Sequence, residues 1–260
     1  MAPDVAGGFY PSEPSLLRRT IDTFMREAEP PSVSGNLKAL MVPHAGYIYS
    51  GSVAAKGYRL IKSLDQEKNW RVIIIGPAHY VPFSGLCVGL FDEFATPIGP
   101  AKVSKLAFEF LDSGAIFLPQ AHELEHCIEV QLPFLHYCLK NYEIVPLLTG
   151  SADPIKVADI IEPHLDADTI LLISTDLSHQ LPYENAVETD TSTLDWIIKG
   201  DEQSLKKRGE ACGLTGIISM VALSKRHGWR RELIAYATSG DTYGPKNRVV
   251  GYGSVACFAD

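Results

Sequence analysis

The chain has 260 residues, a formal net charge of −8, 46% hydrophobic and 21% charged residues. It is long enough for one large domain with a sizeable core, and too acidic for a general nucleic-acid surface, which needs concentrated basic side chains. No stretch has the apolar length of a membrane span, and the N-terminus lacks a basic region followed by an apolar one, so the expectation is a soluble cytoplasmic protein with no membrane and no nucleic-acid partner.

Residues 1–11 read as an arm. Ser12 is placed to cap a helix running to Glu27, with Pro14 in its first turn. After a loop, "EPPSVSGN", comes a strand, "LKALMVP". A helix with small residues on one face follows, "SGSVAAKGYRLIKSL", in which Gly51 and Gly57 permit close packing. "RVIIIGPA" is a continuous apolar strand of the kind found in a sheet covered on both faces. Two short strands are expected in "GLCVGLFDEFATPIG", and helices in "AKVSKLAFEFLDSG" and "EHCIEVQLPFLHYCLK". The strand "YEIVPLLTG", the helix "DPIKVADIIEPHL" and the strand "DTILLISTD" continue the alternation. A loop, "LSHQ", leads to three helices, "NAVETDTSTLDWIIKG", "DEQSLKKRG" and "GLTGIISMVALSKRHG". "RRELIAYATSG" and "VVGYGSVACFA" close the fold as strands. Strands alternating with helices, without repeats or linkers, predict a single three-layer α/β/α domain over 1–260 with a central mostly parallel or mixed sheet.

Ligands of such sheets bind at the carboxyl ends of the strands. His44, His79 and His179 all fall just past expected strand ends, and Asp176 precedes His179 by three residues, where a carboxylate can fix an imidazole tautomer or act as a base. "HELEH" at 122–126 matches the zinc-protease HExxH pattern literally. Pro119 close upstream and the lack of a third downstream ligand argue against that use. Glu123 and His126 are instead expected to line a polar site. His136, His164 and His227 read as structural or solvated. Cys212 stands directly before a glycine and a helix, a position that favours a thiolate, either nucleophile or soft metal ligand. Cys87, Cys127, Cys138 and Cys257 lie in apolar patterns and read as small buried hydrophobes, and the odd count fits a reducing compartment. The glycine-rich pieces match neither a dinucleotide nor a Walker pattern.

Together "PHAGYIYSG", "GPAHYVP", "EHCIEVQLPFL", "STDLSH", "CGLTGI", "YATSGD" and "VVGYGSVA", with the opening "GGFYP", make a chain that resembles the Memo family (mediator of cell motility). That family's fold is similar to class III extradiol dioxygenases of the non-haem iron type. The resemblance implies a metal site of two histidines and a cysteine, here His44, His79 and Cys212. It implies catalytic groups at Asp176 and His179, its "DxxH" pair, and at His126 and Glu129, its "HSIE" segment with Cys127 in place of serine. Tyr80 replaces the second histidine of the family's "GPSHH". Two imidazoles and a thiolate can hold iron, copper or zinc, and ligand softness alone does not choose among them; Fe(2+) or Cu(+) is expected ahead of zinc. Redox or dioxygenase-like activity on an unknown small molecule or peptide is the leading expectation. The alternatives are a non-catalytic phosphopeptide- or protein-binding module and a metal-free Cys212 nucleophile with His44, His79 or His179 as base. The resemblance also implies a functional link to radical-SAM and AMMECR-like proteins.

Overall fold

The structure is a computed structural model describing residues 1–29 and 32–260; Pro30 and Pro31, in the expected "EPPSVSGN" loop, lie outside it. Among the described residues ten strands form in chain order: β1 (Asn36–Val42), β2 (Trp70–Pro77), β3 (Leu86–Val88), β4 (Glu93–Phe94), β5 (Ala101–Lys102), β6 (Tyr142–Thr149), β7 (Thr169–Ser174), β8 (His179–Leu181), β9 (Arg230–Thr238) and β10 (Val249–Ala259). The central sheet runs β3-β6-β2-β7-β1-β10-β8, with β9 on the other side of β10, while β4 and β5 form a separate pair. β6, β2, β7 and β1 are mutually parallel, and β3, β8, β9 and β10 pair antiparallel, so the sheet is mixed, as expected.

The helices are α1 (Pro14–Glu27), α2 (Tyr47–Lys62), α3 (Glu109–Asp112), α4 (Pro119–Glu123), α5 (Leu132–Cys138), α6 (Pro154–Ile161), α7 (Tyr183–Lys199), α8 (Glu202–Arg208), α9 (Leu214–Arg226) and α10 (Ser239–Thr242). Successive strand residues face opposite sides. Leu40, Val42, Val72, Ile74, Ile170 and Leu172 pack in one core with Leu17 and Ile21 of α1, Tyr58 of α2 and Phe134 of α5. Ala39, Met41, Ile73, Ile75, Leu171 and Ile173 pack in a second core with Val157 of α6 and Ile217 and Val221 of α9. Both faces of these strands are dry, which is why they read as unbroken apolar runs. Among the described residues no helix is long and apolar enough to cross a membrane.

Four expectations need correction. Glu13, not Ser12, caps α1, its carboxylate accepting from the Ser15 and Leu16 N–H groups. The helix expected over 101–114 is only β5, a 3-10 turn and the four residues of α3. The Ser104 N–H donates to the Ile144 carbonyl at 2.8 Å, which ties the start of the segment to β6. The helix expected over 125–140 begins in full only at Leu132, with Pro133 in its first turn. Proline lacks the N–H that a helix already running from 126 would need there. Finally, part of the "LSHQ" loop is β8, which pairs with the start of β10, and Gln180 adopts φ 61°.

Candidate metal centre

β7 lies between β1 and β2, so the three strand ends that carry His44, His79 and Asp176 are neighbours although two come early in the chain and one late. A sheet whose chain order reverses in this way opens a crevice at its carboxyl edge.

His44 follows the end of β1 and is 2% exposed. Its backbone N–H donates to Asp176 Oδ1 at 2.8 Å, and its Nδ1 lies 3.1 Å from Ser174 Oγ. The Ser174 hydroxyl donates its one hydrogen to the Cys127 carbonyl at 2.6 Å and accepts from Gln131 Nε2 at 2.8 Å. It can therefore only accept from His44, which places the imidazole hydrogen on Nδ1 and leaves Nε2 as the acceptor or ligand atom. Burial, reinforced by the neighbouring His79, pushes the His44 pKa down to about 3, so the ring is neutral near pH 7.

His79 follows β2. Its N–H donates to Glu125 Oε2 at 2.7 Å and its Nδ1 sits 2.8 Å from Glu125 Oε1. The same carboxylate accepts from the His126 and Cys127 N–H groups at 3.0 and 3.4 Å. Burial alone would raise the Glu125 pKa, but the His79 hydrogen bonds outweigh it and hold the value below normal. Nδ1–H of His79 is thus directed at the carboxylate, and Nε2 is left to bind. The His126 ring stacks on His79 with centroids 4.8 Å apart, and both rings stand edge-on to His44 at 5.3 Å. Burial and the neighbouring His44 push His126 down to about 4. Its Nδ1 is 3.2 Å from Glu125 Oε1 but is buried and out of hydrogen-bonding geometry. Gly76 lets this segment approach β2, since a Cβ there would run into Cys127 Sγ.

One ligand nitrogen from each of His44, His79 and His126 lies within 4.8 Å of the others, close enough for one ion. His126 Nδ1, buried without a hydrogen-bond partner, makes this donor set fit a metal, because buried polar atoms are rarely left unpartnered.

Cys212, expected as the third ligand beside His44 and His79, stands against His44 but is not part of the three-imidazole group, in which His126 takes that place. The Cys212 Sγ is 3.3 Å from His44 Nε2 and accepts the Asp176 N–H at 3.2 Å. Gly213 caps α9, and its N–H donates to Thr175 Oγ1 at 2.8 Å; a side chain at Gly213 would collide with Thr175. The expectation that this helix start favours a thiolate fails for the protein alone. Burial and the Asp176 charge push the thiol up to about 12, outweighing the Thr175 hydroxyl and the Asp176 and Gly213 N–H groups. Asp176 itself is buried, and burial raises its pKa against the N–H bonds it accepts. His179 lies exposed in β8, and among the described residues no hydrogen bond or ion pair joins it to Asp176.

Glu129 is buried, but its carboxylate serves the N-terminal arm. It accepts from the Asp4 and Val5 N–H groups at 2.7 and 3.1 Å and from the Tyr10 hydroxyl at 2.5 Å. The clamped arm lays Phe9 against His126, ring centroids 4.7 Å apart. Glu129→Ala should therefore loosen the arm at a cost of about 1–3 kcal/mol, as three donors lose their acceptor. Limited proteolysis should then cut within residues 1–10 faster than in wild type; an unchanged cleavage rate would show that Glu129 does not hold it.

"HELEH" does not act as one helical motif: α4 ends at Glu123 and the chain turns before His126. His122 is buried near the Phe91 and Phe94 rings, and burial pushes it down to about 4. Glu123, expected to line the site, is exposed; Glu125, two residues on and 2% exposed, takes that place. Tyr80 stands at the rim, 58% exposed, its ring 6.2 Å from His79 and 6.1 Å from His126.

The model of the family described as Memo-like protein matches residues 2–256. A MEMO1 family protein of Sulfolobus acidocaldarius is 36% identical, with 97% of each chain covered. Relatives under the same family name in Saccharolobus solfataricus and Metallosphaera sedula are 36% and 35% identical, with 96% of each chain covered. In fold, the chain is similar to the crystal structure of an uncharacterized protein from Escherichia coli K12, with a TM-score of 0.54, 12% identity and coverage of 85% of this chain and 99% of that one.

Proposed function

The chain belongs to the Memo-like family, and from that membership and the geometry above we propose that it is a metal-dependent redox protein whose ion is iron or copper. The observation that carries the reading is the meeting of three imidazole nitrogens within 4.8 Å, with the Cys212 sulfur 3.3 Å from His44 Nε2. Nitrogen and sulfur ligands of one tetrahedral ion, at about 2.0 and 2.3 Å from it, stand roughly 3.5 Å apart. His44 and His79 supply the fixed donors, His126 completes the imidazole face, and Cys212 adds a soft donor that favours ferrous iron or cuprous copper over a hard cation. A bound ion would supply electron transfer and would stabilise the thiolate that the protein alone disfavours.

The chain's own residues orient and move protons. Ser174 keeps His44 in the binding tautomer, and Glu125 does the same for His79. Asp176 binds the His44 backbone through its carboxylate and Cys212 through its N–H, holding the two donors in register. His179, exposed nearby, is the group placed to exchange protons with solvent. The dioxygenase-like fold implied by the resemblance does not carry ring cleavage with it, since activity belongs to the site rather than the fold. A metal-free Cys212 nucleophile is disfavoured by a thiol pushed up to about 12.

Anaerobically purified protein should hold about one iron or copper ion per chain. With cobalt as a spectroscopic substitute, a sulfur-to-metal charge-transfer band should appear and should vanish in Cys212→Ser. Wild-type protein that takes up no ion stoichiometrically, and gains no oxygen- or reductant-dependent activity with ferrous or cuprous ions, sinks the reading.

A further inference from the structure

A cavity of about 320 Å³ opens beside Cys212 and reaches Ala78, the residue before His79. Its volume is at the lower end of the range for small-molecule sites. Val81, Pro82 and Phe83 form an apolar wall, while Thr149, Ser151 and Thr215 contribute hydroxyl-bearing side chains. Among the described residues no lysine, arginine, aspartate or glutamate lines it.

The protein's own ionised side chains nearest the cavity are negative. The Glu125 carboxylate is held by His79, and the buried Asp176 sits against Cys212. The whole chain carries −8. A phosphate or carboxylate entering here would lose its hydration without gaining a cationic partner from the wall.

Resting on the metal-centre reading, we infer that the site takes a small, uncharged organic molecule that presents an apolar body to the 81–83 loop and a hydroxyl or carbonyl group to the opposite wall, and that it excludes phosphorylated ligands. The competing occupant, a phosphopeptide, needs cationic donors that this wall does not have.

Two alkylating probes of nearly equal shape and opposite character test this in the metal-free protein: neutral iodoacetamide and anionic iodoacetate. Each forms a bond from the Cys212 sulfur to carbon, expels iodide and releases the thiol proton to solvent. The other four cysteines are buried, and peptide mass spectrometry locates the adduct. The iodoacetamide-to-iodoacetate rate ratio at Cys212 should exceed that of free N-acetylcysteine by roughly tenfold, the size of a modest charge penalty in a partly desolvated site. Ser151→Lys, at an exposed wall position, should bring the ratio back toward the free-thiol value. A wild-type ratio at or below the free thiol, or no reaction of Cys212 with either reagent, overturns the inference. A parallel arm with ferrous or cuprous ion present separates it from the reading beneath it. Failure of the metal to protect Cys212, with the neutral preference intact, would remove sulfur ligation and leave the uncharged pocket standing.

Discussion

His44→Ala should abolish stoichiometric metal binding. Among the described residues, His44 is the member of the three-imidazole cluster that hydrogen-bonds the Cys212 sulfur, its Nε2 3.3 Å away. Its removal separates the thiol from the stacked His79 and His126 rings and leaves no bridge between the two halves of the donor set. Loss of an orienting partner alone typically costs 10–100-fold in metal affinity, so loss of this ligand should cost more than about 100-fold. Ser174→Ala supplies the graded control. It leaves the imidazole in place but removes the acceptor that holds its hydrogen on Nδ1, and should weaken binding by roughly 10–100-fold. Competition with a chromophoric chelator measures both. Equal metal affinity in wild type and His44→Ala would remove the centre from this crevice, and equal affinity in Ser174→Ala would show that the tautomer is not set there.

The sequence exposes the strands better than the helices for a physical reason. β1, β2, β6 and β7 bury side chains on both faces, so their apolar runs need no knowledge of partners. The segment over 101–114 carries an equally good helical pattern, yet the backbone of Ser104 is captured by Ile144, a contact invisible to local periodicity. Similar limits apply to the site. His44 and His79 stand out because each ends an apolar strand. Glu125 does not, because nothing local to "HELEH" favours burying it in preference to Glu123. Only the break after α4 turns the correct carboxylate inward. The signal that could have found it is its place directly before His126, where it meets two N–H groups of its own turn. Glu129 shows the opposite failure: nothing local to it reveals that Asp4, Val5 and Tyr10 return to claim its oxygens.

Glu125→Ala should produce the largest loss of stability of any single change at the site, about 3–5 kcal/mol, the range for removing one member of a buried charged hydrogen-bonded group. The carboxylate is 2% exposed and joins the turn after β2 to the turn after α4 through the backbone N–H groups of His79, His126 and Cys127, besides the His79 ring. Alanine leaves those donors with no acceptor and no room for bulk water, and unsatisfied buried donors carry their full desolvation cost. Glu125→Gln separates structure from charge. The amide keeps oxygen for one or two of the donors, so it should lose less stability than alanine. It carries no negative charge to draw the His79 hydrogen onto Nδ1, so metal affinity should still fall by roughly 10–100-fold. Urea unfolding of the metal-free proteins and chelator competition of the loaded ones read the two effects independently. A Glu125→Ala midpoint indistinguishable from wild type would mean that the two turns are held together by their hydrophobic packing alone. A Glu125→Gln protein with undiminished affinity would mean that His79 reaches its binding tautomer without help.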